Sequence, residues 1–113
     1  MTGRLRHKES GRLVAVAARR ADRFFARFLG WMGRTVPDGV ALGITDCRQV
    51  HTALVRTPLD LAFCDRDGCV LAIETLSPGR ISRRVMEAVI VWEMRAGSLC
   101  PAIVPGDTLI YEE

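Results

Sequence analysis

The chain has 113 residues, of which 49% are hydrophobic and 26% charged, with a formal net charge of +3; this is the size and balance of one small globular domain built on one core. Charged residues interrupt every apolar run well short of the ~20 residues that a membrane-spanning helix needs. The uncharged run at residues 13–18 is also shorter than the roughly 7–15 residues of a secretory signal core, so a cytoplasmic protein is expected.

Charge is distributed unevenly. Residues 1–34 hold nine Lys/Arg against two acids, whereas the remainder holds seven against eleven. Such a split suits either an anionic partner for the first third or two halves of one fold that compensate each other. No nucleic-acid reading motif accompanies the arginines, so nucleic acid is not the expected partner.

In chain order, residues 1–11 combine charge, two glycines and little apolar character, which predicts a frayed tail ahead of a single domain at 12–113. Leu13, Val14 and Val16 favour a short first strand over residues 12–18. Phe24, Phe25, Phe28, Leu29 and Met32 then share one face of a helix, and Arg23, Arg27 and Arg34 occupy another. Asp22 suits the N-cap and Gly33 the left-handed C-terminal position, so one amphipathic helix is predicted, with its aromatic face in the core.

Pro37, Asp38 and Gly39 carry turn chemistry. Val40, Leu42 and Ile44 alternate with Ala41 and Gly43 as in a half-buried strand. Residues 51–55 read as extended, and Pro58 keeps Thr57 out of the helical region. Leu59, Leu61 and Phe63 alternate with Asp60, Ala62 and Cys64, so that one side of this strand is core and the other presents Asp60, and the turn "DRDG" follows, with Gly68 supplying a positive φ. A return strand is predicted over 70–74. The segment "LSPGRISRR" reads as a basic loop, residues 88–92 as a strand buried on both faces, "SLCPAIV" as a single helical turn, and 108–111 as a closing strand.

Four cysteines, Cys47, Cys64, Cys69 and Cys100, follow no zinc-site spacing and read as thiols packed as small hydrophobes. Whether Cys64 and Cys69 share a face depends on the turn register. Cys47 and His51 could supply a nucleophile and its base, or two soft metal ligands; against this stands a packed Cys beside a hydrogen-bonded His. Asp60 could pair with Arg56 or Arg34, either to hold a helix end against the hairpin or to orient an anion clamp. Turn chemistry already accounts for Asp65, Asp67 and Asp107, which lack EF-hand spacing. Glu74, Glu87 and Glu93 have no fixed separation that would mark paired catalytic carboxylates. Neither a glycine-rich phosphate loop nor a "GxSxG" elbow occurs.

Several segments match one pattern in one order: "RFLGWMGR", an Asp-Gly before a short apolar strand, "CRQVHTALVRTPLDLAFCDRDGCV", "EMRAG" and "PGDTL". Together they closely resemble the DUF192 family over about residues 12–111. Pro58, Leu59, Asp60, Phe63, Asp65, Asp67 and Gly68 carry the most specific part, resembling that family's hairpin signature. Arg27, Gly30, Met32 and Arg34 resemble its helix end, and Gly106 with Asp107 its closing Gly-Asp. Trp31 and Val55 depart from the usual Leu and Met but stay apolar. The resemblance implies an α+β class that is mainly antiparallel β, a small β-barrel or sandwich with one flanking amphipathic helix. It implies no established activity.

The functional expectation is a non-enzymatic binding or accessory module. Its polar cleft near the central hairpin would use Arg34, Cys47, His51, Arg56 and Asp60 to receive a protein, a peptide or a small anionic ligand, without cofactor or metal. The resemblance adds a link to cell-envelope or pilus assembly. Two alternatives from other classes are a small enzyme dependent on Cys47 and His51, metal-assisted or not, and an anionic-surface or nucleic-acid binder working through the Arg-rich first third.

Overall fold

The computed structural model describes residues 3–22, 35–53 and 55–113. Seven strands follow one another: β1 (Gly3–His7), β2 (Leu13–Asp22), β3 (Val40–Thr45), β4 (Leu59–Cys64), β5 (Val70–Leu76), β6 (Ile90–Arg95) and β7 (Leu109–Glu112). They form one sheet in the order β5-β4-β6-β3-β2-β1-β7. Every neighbouring pair is antiparallel except β2 and β3, which run parallel with Ala17 opposite Val40 and Asp22 opposite Thr45.

The fold class is therefore all-β, which corrects the α+β expectation: no helix occurs among the described residues. The flanking helix was expected on residues that include 23–34, which lie outside the described ones. Its proposed N-cap, Asp22, is instead the last residue of β2. The strand runs past residue 18 because Arg19 and Arg20 are exposed and so need no apolar environment. The tail expected at 1–11 is also corrected. Residues 3–7 form β1, in which Gly3, Leu5 and His7 turn inward and the two arginines outward, a period of two that only a sheet can use.

The central hairpin forms as its alternation predicts. Leu59 faces Leu76 and Phe63 faces Ala72, and Gly68 in the turn has φ 83°. A side chain at Gly68 would also run into the Leu109 carbonyl, so the turn is shaped by β7 as well as by its own sequence. The sheet curls until this turn meets the start of β7: Cys69 bridges Thr108, and Leu109 N donates to Gly68 O at 2.9 Å.

Curling gives the sheet two buried faces, and β4 is buried at every position. The inner face packs Leu5, Ala15, Ala18, Ala41, Ala62, Trp92, Met94, Leu99 and Leu109. Small residues line it because Trp92 takes the space. Gly43 lies opposite Trp92, and a Cβ there would sit 2.7 Å from the indole. Trp92 also stacks on Tyr111 of β7, with ring centroids 5.6 Å apart, which ties non-adjacent strands together across the curl. The outer face packs Leu42, Ile44, Leu59, Leu61, Phe63 and Val91 beneath Val36, Cys47, Val50 and Ala88 from the connecting segments.

Candidate functional site

Asp60 is the one acid in β4, and the alternation assigned it to the face away from the core. Both faces of β4 are buried, however, and Asp60 is fully enclosed on the inner side. A buried carboxylate needs donors, and four converge on it. The amides of Gly97, Leu99 and Cys100 donate to Oδ2 at 2.9–3.0 Å, and the Thr75 hydroxyl donates to Oδ1 at 2.7 Å. Asp60 thus pins the turn after β6, whose Leu99 fills the inner core. Its partners are amides and a hydroxyl rather than the expected guanidinium. Arg56 is exposed, and Arg34 lies outside the described residues.

Cys47 occupies the outer core, on the other face of the sheet from Asp60, with its Sγ 3.1 Å from the Gln49 carbonyl. His51 is exposed and forms a backbone bridge with Ile81. Cys47 and Asp60 are therefore enclosed on opposite sides of the sheet, while His51 and Arg56 face solvent, and the single polar cleft expected around them does not form from these four. All four cysteines are thiols. Burial, with smaller contributions from Asp65 and Cys69, pushes the Cys64 thiol up to about 12, so it carries almost no thiolate at neutral pH. Native protein treated with iodoacetamide at pH 8 is expected to alkylate half-exposed Cys69 at least about a hundredfold faster than Cys64. Peptide mass spectrometry reads this directly, and equal rates would contradict the burial.

His51 and Arg56 belong to a larger surface. The segments after β3 and after β5 are laced together through Thr52, which is fully buried. Its hydroxyl donates to Ser77 O at 2.6 Å and accepts from Arg80 N at 3.0 Å. Its amide donates to Arg80 O, and Gly79 N returns a bond to its carbonyl. Ser82 repeats the device with Val50 in both directions, and Arg48 Nε reaches Met86 O at 2.9 Å. The result is a hydrogen-bonded arm over the outer core. Residues 47–58 and 77–89 together contain five arginines and one acid, Glu87. Arg48, Arg56, Arg80, Arg83 and Arg84 are all exposed. Between them stand Ile81, 69% exposed, and Met86, 59% exposed. The sequence showed this stretch as a basic loop; the hydrogen bonds that hold it were not visible there.

Two further groups escaped the sequence reading. Glu93 of β6 lies opposite Leu42 and Leu61, is 5% exposed, and has its carboxyl pushed up to about 8 by burial. His7, Glu9 and Asp107 come together with their potential ligand atoms within 4.8 Å of one another. Glu93 directly follows the run at 88–92 that read as a buried strand and was weighed only as a carboxylate without a fixed partner, while His7 and Glu9 lie in a stretch that read as a tail.

The described residues thus form a curled, seven-stranded sheet with a basic, hydrogen-bonded arm on its outer face. The chain belongs to the DUF192 family, described as Uncharacterized ACR, whose family model matches residues 5–111. Among solved structures, it is similar to a Sinorhizobium meliloti protein described provisionally as a transcription regulator. That match has 26% identity and a TM-score of 0.77, covering 98% of this chain and 94% of that one. It is also similar in fold to a Novosphingobium aromaticivorans protein of unknown function, at 20% identity and TM-score 0.77, covering 97% of this chain and 84% of that one. No curated protein matches the chain significantly. Among the described residues no helix is long and apolar enough to cross a membrane.

Proposed function

We propose that the protein is a non-enzymatic binding module whose arm, residues 47–58 and 77–89, receives an acidic segment of a partner protein that also carries apolar side chains. The observation that carries this reading is the exposure of Ile81 and Met86 on two hydrogen-bonded segments that contain five exposed arginines and one acid, with Glu74 of β5 accepting from the Arg83 amide at their edge. Two exposed apolar side chains on segments rich in exposed arginines fit a peptide that offers both carboxylates and aliphatic anchors. The lacing by Thr52 and Ser82 fixes the surface before binding, so little ordering entropy opposes association. His51 and Arg56, two of the expected ligand residues, keep their part in this reading, while Asp60 supports the fold.

A labelled peptide alternating Asp or Glu with Leu tests it by fluorescence anisotropy. The triple variant Arg80→Ser/Arg83→Ser/Arg84→Ser and the single variant Ile81→Ser are each expected to weaken binding about tenfold or more, roughly 1.4 kcal/mol. Affinity should also fall with added salt. A response to the arginines alone, with Ile81→Ser without effect, would refute the apolar half of the proposal.

A nucleic-acid reading has one observation in its favour: the similar Sinorhizobium meliloti protein is described provisionally as a transcription regulator. On that reading duplex DNA would bind with a steep salt dependence and would be insensitive to Ile81→Ser. The same anisotropy experiment with a DNA probe separates the two readings.

A further inference from the structure

We propose that His7, Glu9 and Asp107 form a binding site for one divalent transition-metal ion of the Zn²⁺ or Mn²⁺ type. His7 and Asp107 are 100 residues apart in sequence, yet His7 Nε2 lies 2.9 Å from Asp107 Oδ2 and 3.4 Å from Glu9 Oε1. Nitrogen and oxygen ligands bind such ions at roughly 2.0–2.2 Å. Simple geometry then places neighbouring ligands about 2.9 Å apart in an octahedral shell and about 3.4 Å apart in a tetrahedral one. The His7–Asp107 separation is close to the octahedral edge and the His7–Glu9 separation to the tetrahedral one, so an ion is accommodated when one of the carboxylates shifts by about half an ångström. One imidazole with two carboxylates is a donor set of intermediate hardness, which suits Zn²⁺ and Mn²⁺ and leaves positions for water.

The surroundings fit a ligand role for each residue. Ser10 Oγ lies 2.7 Å from His7 Nδ1 and also accepts from Arg12 N. With Ser10 accepting the Nδ1 proton, Nε2 is left with its lone pair toward the carboxylates, the arrangement an imidazole ligand requires. Three acceptor atoms then converge, and a cation placed among them would be bound by all three; without metal, the other tautomer, with Ser10 donating to Nδ1 and Nε2–H donating to Asp107, joins the same residues by hydrogen bonds.

The frame that holds the donors is rigid. His7 lies in the β1–β7 ladder opposite Leu109, and Lys8 N donates to Thr108 O. Val104 N donates to Asp107 Oδ2, and Thr108 N donates to Glu9 Oε1. The His7 side chain is 10% exposed and that of Asp107 17%, whereas that of Glu9 is 44% exposed, which leaves one side open for an ion to enter.

The test is titration of chelator-treated full-length protein with Mn²⁺, followed by electron paramagnetic resonance, and with Zn²⁺, followed by calorimetry. Mn²⁺ is the decisive probe because it discriminates against the thiols of Cys69 and Cys100. One ion per chain is expected, with affinity lowered at least about tenfold by Glu9→Gln and by Asp107→Asn. Glu9 is exposed, and a glutamine keeps an oxygen for the Thr108 amide, so Glu9→Gln folds and carries the test even where His7→Gln does not. Absence of saturable binding at millimolar metal would overturn the proposal, leaving hydrogen bonds alone to join His7 to Asp107 and Ser10. Binding that neither Glu9→Gln nor Asp107→Asn weakens would overturn it too, because the ion would then lie elsewhere.

Discussion

Glu93→Gln is expected to make the protein at least as stable as the parent at pH 7 and clearly more stable at pH 9. In the parent, the Glu93 carboxyl is enclosed between Leu42 and Leu61 in the middle of the sheet, and burial raises it from 4.5 to about 8. The unfolded chain releases this proton near the ordinary value, and the folded chain keeps it to about 8. Between those values the folded state holds one more proton, so its stability falls as pH rises through that window. The stabilisation is complete below about 4.5, and the decline levels off above about 8. At about 1.4 kcal/mol per tenfold difference in proton affinity, the swing is on the order of 4 kcal/mol. For a domain of this size that is a loss in Tm of roughly 10–20 °C. A glutamine has nearly the same shape and no proton to lose. Thermal unfolding at pH 5, 7 and 9 should therefore give a falling profile for the parent and a flatter one for Glu93→Gln. Parallel profiles would show that the carboxyl is solvated or paired in solution.

Asp60→Ala should have the largest destabilising effect of any single change in the hairpin. It removes the acceptor for three backbone amides and one hydroxyl, of which the Leu99 amide is buried and the others are partly buried. Buried donors left without a partner cost about 1–3 kcal/mol each when solvent cannot reach them, and relaxation of the turn limits the total to about 3–5 kcal/mol. Asp60→Asn should cost much less, about 1–2 kcal/mol. Its amide oxygen can take the place of Oδ2, and its amino group can then donate to the Thr75 oxygen. Hydrogen exchange at Gly97, Leu99 and Cys100 reads the difference: fast in Asp60→Ala, still protected in Asp60→Asn. Unchanged protection in Asp60→Ala would remove Asp60 from its anchoring role. If Asp60 contacted a ligand instead, Asp60→Asn would impair binding to the arm while leaving the fold intact; the hydrogen bonds favour the opposite result.

These two residues also show where local reading stops. The alternation of Leu59, Leu61 and Phe63 located β4, but it took Asp60 as an outward residue because it assumed one buried face. Curling of the sheet brings Leu99 and its turn over the inner face, so the outward side became a second interior. Glu93 was hidden by the same cause, since a charged residue in an apolar run marks burial only when both neighbouring strands are known. Thr52, the pin of the arm, is one polar residue among many until the segment containing Ser77 and Arg80 lies beside it.

The sequence by itself determined the family, the central hairpin between Pro58 and Gly68, the strand at Val40–Thr45, and the basic character of the segment that becomes the arm. These follow from interactions within a few residues: turn conformations, alternation and charge. Only the tertiary structure decided that residues 3–7 form a strand, that Asp60 anchors a turn, and that His7 meets Asp107. β1 has too little apolar surface to form without partners, and it becomes a strand because β2 and β7 supply its hydrogen bonds from both sides. Its partners are set by closure of the curled sheet, a contact between chain ends that no local pattern encodes.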